Sequence, residues 1–388
     1  MKRIFYTLGT VLASFVAFAQ SQGNQNASAE SQLNQLTDKF NVYFNSHASF
    51  NVQDQRDGED WHAAFRNNQL RLEVRGNLTD KLFYRFRHRL NKTNAGESLS
   101  NFAPATDLMY VGYHINDQFL VIGGKQCQAW GGFEFDLNPM NIYEYSDFIE
   151  NMSNFTPGVT LVYNINPNHE LQFQVTDSHN QVFEEFYPNS SEQESKTPLT
   201  YIVNWNGNLF NGVLLTRWAA GLETESTDSQ SYMLTLGTQF RQKQFQLTFD
   251  YMHATQQLDR LGIATGLLNG FSVPNSLGRL KDVHYDTFIL KAEYQPAERW
   301  NIFAKGMYET TNVHDNRFAE QFDGFRTAYG YFAGVEYIPL KDQDLRLYLA
   351  YIGRSYEFSD KFQNYGIALD GYNTNRVSLG LMYRIKAF

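Results

Sequence analysis

The sequence has a single cysteine, Cys127, among 388 residues. One thiol cannot form an intrachain disulfide, which excludes the class of small secreted domains that disulfides hold together. After the N-terminal region, no stretch approaches the roughly 18 consecutive apolar residues that a transmembrane helix needs. Basic residues are too few to balance the acidic ones. The formal net charge of −9 argues against nucleic acid as a partner, because phosphate binding needs a basic face.

Motifs for catalysis or metal binding are also lacking. There is no glycine-rich phosphate loop and no Cys/His cluster with ligand spacing. The nine histidines include pairs such as His179 beside Ser178, but their spacing does not specify a triad or a metal site. We therefore predict that the protein is not an enzyme and that it holds no cofactor and no metal.

The N-terminal residues have the pattern of an export signal. Lys2 and Arg3 precede a mostly apolar run that ends in an A-x-A cleavage pattern at Ala19. We predict that residues 1–19 are a signal peptide. The following segment, 20–38, is rich in Gln, Asn and Ser and has too few apolar residues to order itself alone, which favours a flexible periplasmic segment.

Aromatic residues are abundant in a chain that is hydrophilic on average. The sequence has 32 Phe and 24 Tyr, yet the mean hydropathy is −0.47. Both values are expected if half of each strand faces lipid and the other half faces water. This pattern is typical of membrane β-barrels, which have aromatic girdles and a polar interior.

Apolar and polar residues alternate with a period of two from Phe40 to the C-terminus, as in Leu345, Leu347 and Leu349. About sixteen such segments are joined by connections that are alternately short and long. We predict that residues 39–388 form an all-β structure, a transmembrane antiparallel β-barrel with short periplasmic turns and long extracellular loops. Closure of the barrel leaves no strand edge exposed to the bilayer. The expected location is the outer membrane of a Gram-negative bacterium.

The parity opposite to the apolar one should line a water-filled lumen. On the second, third and last strands this parity is rich in arginine and lysine, whereas the middle strands carry mainly neutral residues at the inward positions. Arginine is suited to a conducting wall because its charge is permanent and its guanidinium binds anions through two hydrogen bonds. The alternative is that these arginines have no role in conduction and only supply the polar residues that any water-facing wall needs. The predicted basic wall consists of Arg71, Arg75, Arg85, Arg87, Arg89, Lys125, Lys291, Lys305 and Arg346, with Arg384 continuing it.

The third long connection, about 126–156, combines carboxylates with aromatic residues and contains no Lys or Arg. A solvated surface loop would have little for so many aromatic side chains to pack against. We predict that this segment folds into the barrel as a constriction loop, with its carboxylates facing the arginines and a transverse field across the pore. The predicted acidic residues are Glu134, Asp136, Glu144, Asp147 and Glu150.

Two stretches resemble the phosphate-selective porin O and P family of Gram-negative bacteria. The first, Phe65 to Arg87, has the arginine-rich strands around the Gly76-Asn77 turn. The second begins at Gly123-Gly124-Lys125-Gln126 and leads through Trp130-Gly131-Gly132-Phe133 into the acidic loop. The resemblance implies a homotrimeric outer-membrane porin with an arginine-lined lumen. Phosphate specificity does not follow, because the acidic loop places carboxylates where a site for anions needs cations.

The function predicted from these features is a porin, a channel for passive diffusion of small hydrophilic solutes and ions. The expected partners are outer-membrane lipid, small polar solutes or ions, and further copies of the chain in a homotrimer. One alternative is an anion- or phosphate-selective channel. Two other classes are a barrel enzyme, for which no catalytic cluster is visible, and a structural or adhesive barrel, whose lumen would be plugged by side chains.

Overall fold

The computed structural model describes residues 39–54, 56–93, 102–179, 181–187, 190, 192–227, 229–268, 278–365 and 368–387. The predicted signal peptide, the predicted segment 20–38 and the terminal Phe388 lie outside the described residues.

Within the described residues, sixteen antiparallel strands close into one barrel, which confirms the predicted fold. Each strand pairs with its neighbours in sequence, and β1 pairs with β16 to close the sheet. The strands are β1 (Asn41–Gln53), β2 (His62–Asn77), β3 (Leu82–Arg89), β4 (Thr106–His114), β5 (Phe119–Cys127), β6 (Phe155–Asn166), β7 (His169–Asp177), β8 (Leu199–Leu209), β9 (Leu214–Glu223), β10 (Ser231–Gln242), β11 (Phe245–Leu258), β12 (Lys281–Ala297), β13 (Trp300–Val313), β14 (Phe322–Tyr337), β15 (Asp344–Phe358) and β16 (Tyr372–Lys386).

Alternation along each strand separates an outer apolar face from an inner polar face. In β12, for example, Phe288 and Leu290 are exposed on the outside of the barrel, whereas Thr287 and Ile289 are buried inside it. The strand register places apolar residues of neighbouring strands side by side on the outer face. Phe288, for example, lies opposite Tyr308 of β13. The outer surface is therefore apolar because it meets lipid, and the inner surface is free to carry charge.

Aromatic side chains form belts near both ends of the outer face. Towards the long loops, the rings of Tyr251 and Phe288 lie 4.8 Å apart, and Tyr308 continues this belt at 6.2 Å from Phe288. Towards the short turns, Trp300 lies 4.8 Å from Tyr337. Such girdles mark the two interfaces between the bilayer and water.

The short turns lie at one end of the barrel and the long loops at the other. Arg241 and Gln242 belong to β10, so the turn to β11 is residues 243–244, and Gln295 to Ala297 belong to β12, so the turn to β13 is residues 298–299. The long loops contain short helices at Phe133–Asp136, Asp147–Glu150, Phe183–Phe186 and Ile263–Leu268, and 3₁₀ turns at Pro139–Asn141 and Asp360–Tyr365. No helix within the described ranges is both long enough and apolar enough to cross a membrane.

Candidate functional site

Three arginines of the inner wall converge on one buried carboxylate, that of Asp107 at the start of β4. Its oxygens lie 2.7 Å from Nε of Arg71, 3.2 Å from Nε of Arg87 and 2.6 Å from Nε of Arg89. Arg71 and Arg89 face each other across β2 and β3, where two like charges would repel. Asp107 offsets that repulsion. We call this group the Asp107 cluster.

A second carboxylate, Glu73, has the same role nearer the short turns. It is fully buried, and its Oε1 lies 3.1 Å from Nε of Arg85, 3.8 Å from Nη2 of Arg384 and 3.9 Å from Nη1 of Arg75. Arg384 comes from β16, so this Glu73 cluster continues the basic wall across the barrel closure. The two clusters together place six guanidinium groups around two carboxylates, and the wall therefore keeps an excess of positive charge.

The third loop, residues 128–154, runs mainly along the wall of β9 to β16, and the part around Pro139–Asn141 also contacts β1 and β2, where Asn138 donates to Oδ1 of Asn45 at 3.2 Å. Near its start the loop turns at a pair of glycines with left-handed backbone, Gly131 at φ 68° and Gly132 at φ 75°. The N–H of Gly132 donates to the carbonyl of Arg217 in β9 at 3.0 Å. Trp130 is buried against Gly221, where a Cβ would lie 2.5 Å from the indole ring. Glycine at 221 thus makes room for the tryptophan.

Asp250 of β11 holds the first helix of the third loop. Its carboxylate accepts hydrogen bonds from the N–H groups of Phe133 at 2.7 Å and Glu134 at 2.9 Å. A carboxylate at a helix start satisfies donors that have no partner within the helix. Further along, the Tyr143 hydroxyl donates to Glu336 at 2.6 Å, and the N–H of Phe148 donates to Glu309 at 3.1 Å.

The predicted carboxylates of the third loop pair with the wall formed by β9 and β13 to β16. The structure thus differs from the expectation that they face the arginines of β2 and β3. Glu134 lies 2.5 Å from Nζ of Lys305, Asp136 contacts Arg217, Glu144 lies 2.7 Å from Nη2 of Arg376, and Asp147 contacts Arg326 and lies 2.8 Å from Nη2 of Arg354.

Glu150 is the exception to this pairing, and both it and Asp136 line the same cavity as the Asp107 cluster. Partial removal from water raises the pKa of Glu150; Arg89 opposes this rise and Glu144 adds to it. Enclosure likewise raises the pKa of Asp136, although Arg217 acts in the opposite direction. Both carboxyls should therefore take up a proton at a higher pH than an ordinary surface carboxyl.

The third loop divides the predicted basic residues between two cavities. The main cavity, of about 920 Å³, is lined by Arg71, Arg75, Arg85, Arg87, Arg89, Lys92, Lys125 and Arg384, and by the acidic Asp107, Asp136 and Glu150. A smaller cavity of about 280 Å³ lies on the other side of the loop and is lined by Lys291, Lys305 and Arg346 together with Glu134, Glu144, Asp250, Glu293 and Glu336. Lys291 is 2.9 Å from Glu293, and Arg346 is 3.6 Å from Glu336, so the charges there are largely paired.

Several residues that shape the lumen were not among the predicted ones. Arg326, Arg354 and Arg376 face inward at the parity that the sequence assigns to the lumen, so this alternation could have identified them. Arg217 and Asp250 interrupt the middle wall that was expected to be mainly neutral. No sequence feature marks Asp107 as the shared partner of three arginines.

The model of the family described as phosphate-selective porin O and P matches residues 40–385. The chain belongs to this porin family. A porin is a channel, and the closed barrel, the charged lumen and the inward course of the third loop are all consistent with that function. The search of curated proteins gives no significant match.

Solved porin structures share the fold of this porin at low sequence identity. The outer-membrane channel DcaP of Acinetobacter baumannii is 11% identical, with a TM-score of 0.63 over 89% of this chain and 97% of that one. The anion-selective porin from Comamonas acidovorans is 11% identical, with a TM-score of 0.58 over 89% and 99%. The trimer form of OmpT of Vibrio cholerae is 12% identical, with a TM-score of 0.52 over 90% and 100%. The family and these neighbours indicate an outer-membrane location.

Proposed function

We propose that this porin lets small hydrophilic solutes diffuse through the main cavity and prefers anions to cations. The observation that carries the proposal is the charge of the cavity lining. Among the described residues the lining has eight basic and three acidic side chains. The buried carboxylate of Glu73, which lies behind the lining, compensates one more positive charge. A narrow passage with an excess of one sign concentrates ions of the other sign.

A continuous polar route supports conduction through this side of the barrel. The main cavity reaches Lys92 and Gln181 in the long loops at one end. At the other end it shares Gln172 and Asn206 with a further cavity of about 920 Å³ that is lined by residues of the short turns. Solutes would thus pass between the third loop and the wall of β2 to β8.

The third loop would be the constriction of this pore. Its helices and carboxylates are tied to the wall of β9 to β16, so the loop fills that half of the lumen and leaves the arginine-lined half open. The main cavity then lies between the six arginines on one side and Asp136 and Glu150 on the other. Because the acidic side has fewer charges than the basic side, the electrostatic potential in the cavity is positive on balance and should favour anions.

Assembly and export complete the proposal. The chain would be exported with cleavage after Ala19 and would assemble as a homotrimer in the outer membrane. The A-x-A pattern supports the cleavage site, and the trimer form of the similarly folded OmpT supports the trimer.

Conductance in planar bilayers tests the channel, and liposome swelling tests the preference. Purified porin should give discrete conductance steps. Proteoliposomes should swell faster in a small sugar acid than in its amine counterpart of similar size, with the neutral sugar between them. Protein that is folded but electrically silent would overturn the channel, and faster swelling in the amine would overturn the preference.

A further inference from the structure

A histidine and aspartate cluster lies on the outer face of the barrel at the end that carries the long loops. Asp282 and His284 are two residues apart on β12 and therefore point to the same face. His284 lies opposite Asn312 of β13, and the N–H of His314, two residues further on, donates to the carbonyl of Asp282 at 3.0 Å. The register thus brings Asp282, His284 and His314 together.

Their side chains converge closely enough to share one ion. One ligand atom from each of the three residues lies within 4.8 Å of the others. Nε2 of His284 is 3.0 Å from Oδ1 of Asp282, and the imidazole rings of His284 and His314 are 4.8 Å apart. A fourth candidate ligand atom is near, because Oδ1 of Asp323 is 3.1 Å from Nε2 of His314.

We propose that Asp282, His284 and His314 form a Zn²⁺ site, with Asp323 or water as the fourth ligand. Two imidazoles and a carboxylate are typical ligands of Zn²⁺, at about 2.0–2.2 Å from the metal. Tetrahedral bonds of this length place ligand atoms about 3.3 Å apart. The three residues therefore need side-chain shifts of about 1–2 Å at most to enclose the ion.

Two further observations support a prepared site. Nδ1 of His284 is 3.2 Å from Oγ1 of Thr255, and this hydrogen bond can orient the ring with Nε2 towards the cluster, as the second shell of a metal site does. Asp282 has a left-handed φ of 49°, an uncommon conformation for a residue other than glycine. Uncommon backbone conformations of this kind cluster at functional sites.

The site is accessible to an ion from the aqueous phase. On β12, Asp282 and His284 lie on the long-loop side of Phe288, which belongs to the aromatic belt that marks the bilayer interface. Both side chains keep part of their surface exposed, 40% for Asp282 and 25% for His284. Asp282 and His284 lie on β12 and His314 follows β13, so no local sequence motif could have indicated the site.

Isothermal titration of the folded, full-length porin with ZnCl₂ after treatment with a chelator tests the proposal. We expect about one Zn²⁺ bound per chain. The H284Q and H314Q variants should each weaken binding at least tenfold, because loss of an outer partner of a ligand alone typically costs 10–100-fold. The matched control is H169N at the opposite, short-turn end, where His169 stacks on Trp205 at 5.8 Å.

Visible absorption of the Co²⁺-loaded porin provides a second readout, which does not depend on heats of binding. Wild type and H169N should give the intense bands of tetrahedral Co²⁺, and H284Q should lose them. Each variant must keep the wild-type conductance, which shows that the barrel is folded. The proposal is overturned if saturable Zn²⁺ binding is absent from wild type, or if it persists unchanged in the H284Q/H314Q double variant.

Discussion

Neutralising two partly exposed arginines of the main cavity should reduce the preference of the pore for anions. Arg85 and Arg89 keep 31% and 28% of their side-chain surface exposed and line the main cavity. The double variant R85Q/R89Q should still fold, because Glu73 keeps contacts with two other arginines and so does Asp107. It removes two positive charges and no negative charge from the lining.

The size of the effect follows from the distance between a passing ion and the guanidinium groups. An anion about 6 Å from one arginine gains about 0.7 kcal/mol in water. Salt at 0.1 M lowers this to about 0.4 kcal/mol. Because a cation is disfavoured equally, each arginine changes the anion-to-cation permeability ratio by about 0.8 kcal/mol, or about fourfold. Both together should change it about 15-fold at 0.1 M salt.

Reversal potentials of the variant and wild type in the same KCl gradient measure this ratio. The control is R299Q, which removes an exposed charge from the short turn between β12 and β13. R299Q should keep the wild-type ratio. An R85Q/R89Q ratio within twofold of wild type, in a porin of normal conductance, would refute the assignment of the basic wall to the conduction path.

Three further predictions concern the parts that shape the lumen. G221A should lower the single-channel conductance, because the new Cβ displaces Trp130 and pushes the third loop towards the main cavity. The control G306A should keep the wild-type conductance, because a Cβ at this position meets open space. D107N should lower the free energy of unfolding by about 3–5 kcal/mol, measured by urea titration, because it leaves buried guanidinium groups without their shared carboxylate. Lowering the pH should increase the anion preference, because the raised pKa of Glu150 lets this carboxyl lose its negative charge at a higher pH than an ordinary carboxyl, and E150Q should reduce the pH dependence.

The barrel was predictable because its determinants are local. Lipid on one side and water on the other impose a period of two on every strand, and turn residues mark where each strand ends. Those same rules assigned Arg85, Arg87 and Arg89 to the inner face. The exact strand ends are less well determined by local pattern, because polar residues such as Arg241 and Gln242, which end β10, can lie equally well in a strand end or in a turn.

The partners within the lumen were not predictable from local patterns. Asp147 contacts Arg326, which is 179 residues away in sequence, and such a pair depends on the path of the third loop through the barrel. That path is set by the Gly131-Gly132 turn and by the place that Gly221 leaves for Trp130. The acidic loop and the arginines of β2 and β3 were each recognisable in the sequence. That they lie on opposite sides of the main cavity could be seen only in the three-dimensional structure.

The reversal potential of the wild-type porin across a tenfold KCl gradient tests the central claim most directly. The excess of basic side chains along the main cavity predicts a potential of the sign that anion preference gives, and a magnitude that falls as the salt concentration rises on both sides. A potential of the opposite sign would show that the carboxylates of the third loop dominate conduction, and it would contradict the account.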